Sequence, residues 1–280
     1  MTTPASAGTV AFSDLDRTLI YSRSAVDALG ALADPPTSTT TCVEVYDGTP
    51  QSFVTDRAVP ILVDLAATGR LVPTTTRTVE QFLRVRLPGP APRYAICANG
   101  GHLLVDGVVD DDHHQDVVRR LGSGSAPLPE VLGEVTRLVA QATAEPAFVE
   151  RVRVADDLFC YLVVDRDRLP AAWLEQLEGE AARHGWGVSL QGRKLYVVPT
   201  PLTKSSAADE VMQRTGAGRA VAAGDSLLDA DLLEWASAAI RPRHGELADA
   251  GWIRPHVEVT SSVGVRAGEE IAVWLRGRVS

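Results

Sequence analysis

Three short apolar runs, each breaking off into polar residues, constrain this chain more than any other feature. Thr9-Val10-Ala11-Phe12 runs into Ser13-Asp14-Leu15-Asp16, Leu71-Val72 into Pro73-Thr74-Thr75, and Tyr94-Ala95-Ile96-Cys97-Ala98 into Asn99-Gly100-Gly101. Between the first two, Val59, Leu62, Val63, Leu65 and Ala66 recur at helical spacing, and Gly69 follows as a C-cap. A second helical stretch covers residues 78–85. Strands alternating with helices predict a parallel α/β sheet with helices on both faces. Ligands of such sheets bind at the carboxyl ends of the strands, where the polar clusters fall.

The pattern changes after Gly101. His102-Leu103-Leu104-Val105, an Asp106-Gly107 turn and Val108-Val109 read as a hairpin. Residues 30–41 and 121–130 read as a loop and a linker, rich in Pro, Ser, Thr or Gly. Residues 151–154 and 158–164 read as paired strands, and residues 188–198 as a further hairpin. The parallel pattern resumes with a helix at 203–213, a strand at Ala220-Val221-Ala222-Ala223 and a helix at 229–236. Hairpins mixed with helices between the two parallel stretches suggest an α+β insert of roughly 80 to 90 residues.

Four local signals carry chemistry. Asp14-Leu15-Asp16-Arg17-Thr18 is a D-x-D-x-T at a strand end; in extended chain its two carboxylates point the same way. Two like charges so close take different proton affinities and can divide nucleophilic and acid–base roles, although the same residues could form only an acidic turn. Gly224-Asp225-Ser226-Leu227-Leu228-Asp229 follows another strand and offers two more carboxylates, which equally suit a helix cap and first turn. With Asp14 they would supply hard oxygens to Mg²⁺. Lys204 opens a helix, where the helix dipole disfavours a cation unless an anion lies nearby. Thr74-Thr75-Thr76-Arg77 sits at a strand-to-helix turn that can hold a phosphate.

Those four signals, in that order, resemble the haloacid dehalogenase (HAD)-like phosphohydrolase superfamily along nearly the whole chain. The insert resembles the larger α+β cap of its subclass IIB, the Cof-type and sucrose-phosphatase-like branch. The sequence departs from that branch's usual pattern at Arg17 and Thr76, both commonly Gly, and at Leu228, commonly Asn. The resemblance implies a Rossmann-like HAD core of residues 1–105 and 193–280, with an inserted α+β cap over 106–192 that selects the substrate. It implies Asp14 as nucleophile, Asp16 as general acid and base, and Lys204 as a catalytic cation. It further implies Thr18, Thr75, Arg77 and Asn99 at the substrate or phosphate. Mg²⁺ would be held by Asp14, the Asp16 carbonyl, Asp225 and Asp229. The expected activity is hydrolysis of a small phosphorylated metabolite, a sugar phosphate above all, through an aspartyl-phosphate. A phosphomutase of the same fold and a catalytically silent binding protein are the alternatives.

Composition excludes other classes. With 27 Lys+Arg against 36 Asp+Glu the formal net charge is −9, which disfavours nucleic acid and anionic membranes as partners. Three scattered cysteines, Cys42, Cys97 and Cys160, make neither a disulfide framework nor a zinc site. The opening MTTPASAGTV lacks the basic and apolar regions of a secretory leader, and no apolar run reaches the ~18 residues of a membrane span. A cytoplasmic location is expected. His113-His114, beside Asp110-Asp111-Asp112, reads as a solvated charged turn.

Overall fold

The computed structural model describes residues 8–30, 39–142 and 147–279. The chain divides into two compact units, residues 1–110 with 204–280, and residues 111–203.

The first unit opens with β1 (Thr9–Ser13), β2 (Tyr21–Ser22), α1 (Arg23–Gly30), β3 (Thr40–Tyr46) and β4 (Thr49–Thr55). Then come α2 (Ala58–Ala67), β5 (Leu71–Pro73), α3 (Val79–Leu83), β6 (Tyr94–Cys97), β7 (His102–Val105) and β8 (Val108–Val109). The second unit comprises α4 (Asp111–Gly124), α5 (Leu128–Gln141), β9 (Val149–Ala155), β10 (Phe159–Val164), α6 (Ala171–Arg183), β11 (Trp186–Gln191) and β12 (Lys194–Pro199). The chain returns to the first unit with α7 (Lys204–Thr215), β13 (Arg219–Ala223), α8 (Ala230–Trp235), β14 (Ala238–Arg241), α9 (Glu246–Asp249), β15 (Val257–Val259) and α10 (Val265–Val279).

The main sheet of the first unit is wholly parallel, in the order β15-β14-β13-β1-β5. Side-chain alternation explains its continuous apolar runs. Ala11, Val221 and Ala223 pack on one face with Leu62 and Leu65 of α2 and Ile271 and Leu275 of α10. Val10, Phe12, Ala220 and Ala222 pack on the other with Val211 of α7 and Leu232 and Leu233 of α8. Strands buried on both faces need apolar residues at every position. The carboxyl ends of β13, β1 and β5 adjoin: Asp14 N donates to Ala223 O at 2.9 Å and Thr74 N to Ser13 O at 2.7 Å.

Several expectations are corrected. The third apolar run, β6, pairs antiparallel with β7, while a parallel bridge from Ile96 to Thr74 sets it beside the main sheet. The compact units meet at 110/111 and 203/204, where the insert was expected to run from 106 to 192. The Asp106-Gly107 hairpin, with φ of 51° and 81°, joins β8 to β7 and so stays with the first unit. β12 lies between β10 and β11 in the second unit's antiparallel sheet, ordered β11-β12-β10-β9. The linker expected at 121–130 shrinks because α4 continues through Gly124. Asp111 and Asp112 occupy the first turn of α4, where the dipole favours acids, and His113 is buried on that helix. Of the loop expected at 30–41, residues 31–38 lie outside the described residues, while β3 already begins at Thr40 and pairs with β4. This hairpin turns at Asp47-Gly48, and β4 pairs in turn with β2.

Candidate active site

The carboxyl edge of the parallel sheet gathers Asp14, Lys204, Asp225 and Asp229, all in the first unit. Asp14 leaves β1 directly. A tight turn follows it, in which Leu19 N and Ile20 N both donate to Leu15 O and Arg17 takes φ 63°. Asp225 and Asp229 follow β13, but the segment Leu227–Asp229 is a 3₁₀ turn that precedes α8. Gly224 is required here, because a Cβ at that position would lie 2.4 Å from Asp229 Cβ. Asp229 Oδ2 accepts from Asp225 N at 3.1 Å, Ser226 N at 2.9 Å and Ser226 Oγ at 2.7 Å. That carboxylate therefore organises the loop carrying Asp225.

Lys204, the first residue of α7, is 0% exposed, and its Nζ donates to Asp14 Oδ1 at 2.7 Å and Asp229 Oδ1 at 2.5 Å. A buried ammonium persists only with such partners. Burial works against its charge, but Asp14 and Asp229 outweigh burial and hold its proton above the ordinary lysine range. Asp231 Oδ2 accepts from Ser205 N at 2.9 Å and anchors the helix start that presents Lys204.

Burial pushes Asp14 up to about 7; Lys204 opposes that shift, and Asp229 and Asp16 add to it. Burial, then Asp14 and Asp229, raises Asp225 well above the carboxylate range, against Arg17 and Lys204. Asp14, Asp225 and Asp229 can each offer one oxygen within 4.8 Å of the others. Three buried carboxylates share one buried ammonium and the Arg17 guanidinium, and the raised proton affinities of Asp14 and Asp225 mark a site short of positive charge. An all-oxygen set of that charge fits a hard divalent cation such as Mg²⁺, not a thiolate- or imidazole-seeking metal.

The remaining expected residues take varied positions. Asp16 does not join the triad. Its side chain is 44% exposed and receives Arg77 Nε at 2.6 Å and Nη2 at 2.8 Å. Arg77 is also held by Glu44 Oε2 at 2.9 Å and Ser52 Oγ at 3.2 Å. All three of its guanidinium nitrogens therefore face protein oxygens, where a phosphate-binding role was expected. Thr75 is fully buried, and its Oγ1 accepts from Arg77 N at 3.1 Å, which fixes the strand-to-helix turn. Thr18 is fully buried, with no hydrogen-bond partner for its hydroxyl among the described residues. Asn99 is buried after β6 at φ 56°, and its N–H donates to Thr75 O at 3.0 Å.

Sequence reasoning missed Glu44, Ser52 and Asp231, and finds no ligand spacing around His244. Gly264 N donates to His244 Nδ1 at 3.2 Å, so the ring proton sits on Nε2 and is donated to Arg17 O at 3.0 Å. Tyr21 Oη donates to the same carbonyl at 2.8 Å. Next to His244, Gly245 takes φ 96°, and a Cβ there would lie 2.6 Å from Asp225 Oδ2. Asp47-Gly48, between Tyr46 and Thr49, is the turn signal that could have flagged the Glu44–Ser52 hairpin.

No protein-family model and no curated protein sequence matches the chain. Solved structures do. Sucrose-phosphatase from Synechocystis sp. PCC6803, solved with sucrose and phosphate, superposes with TM-score 0.61 at 14% identity over 97% of this chain and 98% of that one. A trehalose-6-phosphate phosphatase related protein gives 0.55 at 16% identity over 96% and 97%. The HAD subclass IIB sugar phosphatase BT4131 gives 0.54 at 10% identity over 97% and 100%. The chain thus has the fold of these HAD phosphatases, across both of its units. None of the described helices is long and apolar enough to cross a membrane.

Proposed function

We propose that this chain is a Mg²⁺-dependent phosphomonoesterase acting on a small phosphorylated sugar. The observation that carries the reading is the buried Asp14–Lys204 pair inside the acidic triad, at the sheet edge where such folds bind ligands. The fold shared with sugar phosphatases supports it.

On this reading Asp14 attacks phosphorus through Oδ2, the oxygen that Lys204 leaves unclaimed. The P–O ester bond breaks as an aspartyl-phosphate forms, and Asp16 gives a proton to the departing alkoxide. Asp16 then takes a proton from water, which attacks the acyl-phosphate and releases inorganic phosphate and free Asp14. Lys204 fixes the nucleophile and places positive charge beside the phosphoryl oxygens. Asp14, the Asp16 carbonyl and Asp225 would hold the cation, with Asp229 bracing the Asp225 loop. When bound, the cation supplies further positive charge for the transferring phosphoryl group.

We assign choice of the leaving group to the second unit. Its strand β9 carries Arg151 and Arg153 exposed, whereas Arg193 pairs with Glu150. The purified protein should release phosphate from p-nitrophenyl phosphate and from at least one hexose phosphate in Mg²⁺. Activity should fall to background in EDTA and return when Mg²⁺ is restored. A protein that releases no phosphate from any ester in Mg²⁺ would reject the reading.

A further inference from the structure

Glu44 breaks the rule of its own strand. Alternation along β3 should bury every second residue, yet Val43 and Glu44 are both buried. The register against β4 shifts on both sides of Glu44. Such a bulge re-aims a side chain, and this one turns a carboxylate inward. Ser52, its cross-strand partner, donates from Oγ to Glu44 Oε2 at 2.5 Å. Arg77 Nη1 lies 2.9 Å from the same oxygen, and Arg84 Nε lies 3.6 Å from Oε1. Removing a carboxylate from water is unfavourable unless it is matched this closely. The hairpin accepts that cost at one position, and the far side of the matched guanidinium grips Asp16.

We propose that Glu44 and Arg77 are a positioning pair that sets the carboxyl plane of Asp16 for proton transfer. The proposal rests on the reading of Asp16 as general acid and base. The Asp16 carboxylate is 44% exposed at a turn. Two parallel N–H bonds from a planar guanidinium fix its plane. Glu44 and Ser52 hold that guanidinium from behind. Each carboxylate oxygen has a second lone pair for a proton; the guanidinium favours the ionised form, so the pair trades proton affinity for direction.

A structural ion pair and a positioning pair differ in how the leaving group matters. p-Nitrophenolate departs with little help from an acid, whereas a sugar alkoxide needs its proton. Glu44→Gln and Arg77→Lys should therefore lower kcat by about 100-fold on the best sugar phosphate, and by about 10-fold or less on p-nitrophenyl phosphate, with KM little changed. Ser52→Ala, which removes one contact from each member and no charge, should show the same bias at smaller size. It carries the test if either charge variant fails to fold by circular dichroism. Equal losses on both esters, or none, would overturn the positioning role. Wild-type protein inactive on both esters would instead reject the phosphatase reading, and this inference with it.

Discussion

Arg17 Nε lies 3.3 Å from Asp225 Oδ2, so a side-chain cation is seated on a carboxylate of the triad. Arg17 does so from φ 63°, a conformation that costs a non-glycine residue roughly 1–2 kcal/mol. Arg17→Gly should therefore bind Mg²⁺ several-fold more tightly, since the guanidinium no longer competes for Asp225. Calorimetric titration of the substrate-free protein measures this, and unchanged or weaker binding would show that the pair does not compete.

Asp14→Asn should stay folded and lose at least about three decades of phosphatase activity, because an amide cannot form the acyl-phosphate. Far-ultraviolet circular dichroism checks the fold. Near-full turnover by the folded variant would remove Asp14 from the nucleophile's role.

Lys204→Met should be strongly destabilised. It leaves Asp14 and Asp229 facing each other without their shared ammonium. Removing one partner of a buried ion pair costs about 3–5 kcal/mol, which at this chain length is a fall of roughly 10 °C in Tm. Mg²⁺ should restore more of the loss in the variant than it adds to the wild type, because it supplies replacement charge. Thermal melts in EDTA and in Mg²⁺ make the comparison.

His244 gives a pH dependence with a definite sign. Burial pushes its ring from the ordinary 6.5 down to about 4, so the folded protein holds it neutral. Below pH 6.5 the unfolded chain takes up a proton that the folded chain refuses. The stability that the neutral ring contributes is therefore present above pH 6.5 and lost as pH falls toward about 4. His244→Gln can still donate to Arg17 O and does not titrate. The difference in Tm between wild type and variant should shift against the wild type from pH 7 to pH 4.5, and a difference independent of pH would refute the assignment.

Much of this architecture is visible in the order of residues alone. Strands buried on both faces must be apolar throughout, so β1 and β13 announce themselves, and the acids that end them are placed at the sheet edge by chain direction. The same logic makes Lys204 conspicuous, since a cation at a helix start asks for an anion. Strand partners are another matter, because apolar runs of similar length do not say which neighbour each will pair with. That is why β6 turns to β7, and why the unit boundaries follow the pairings of β8 and β12 and not the change in pattern at Gly101. Tertiary structure alone decides the engagement of Arg77 with Asp16, Glu44 and Ser52. Local sequence places Arg77 only at a strand-to-helix turn, but a bulge in a strand 33 residues earlier brings a desolvated carboxylate to it, and a guanidinium in low dielectric binds the fixed anion it meets.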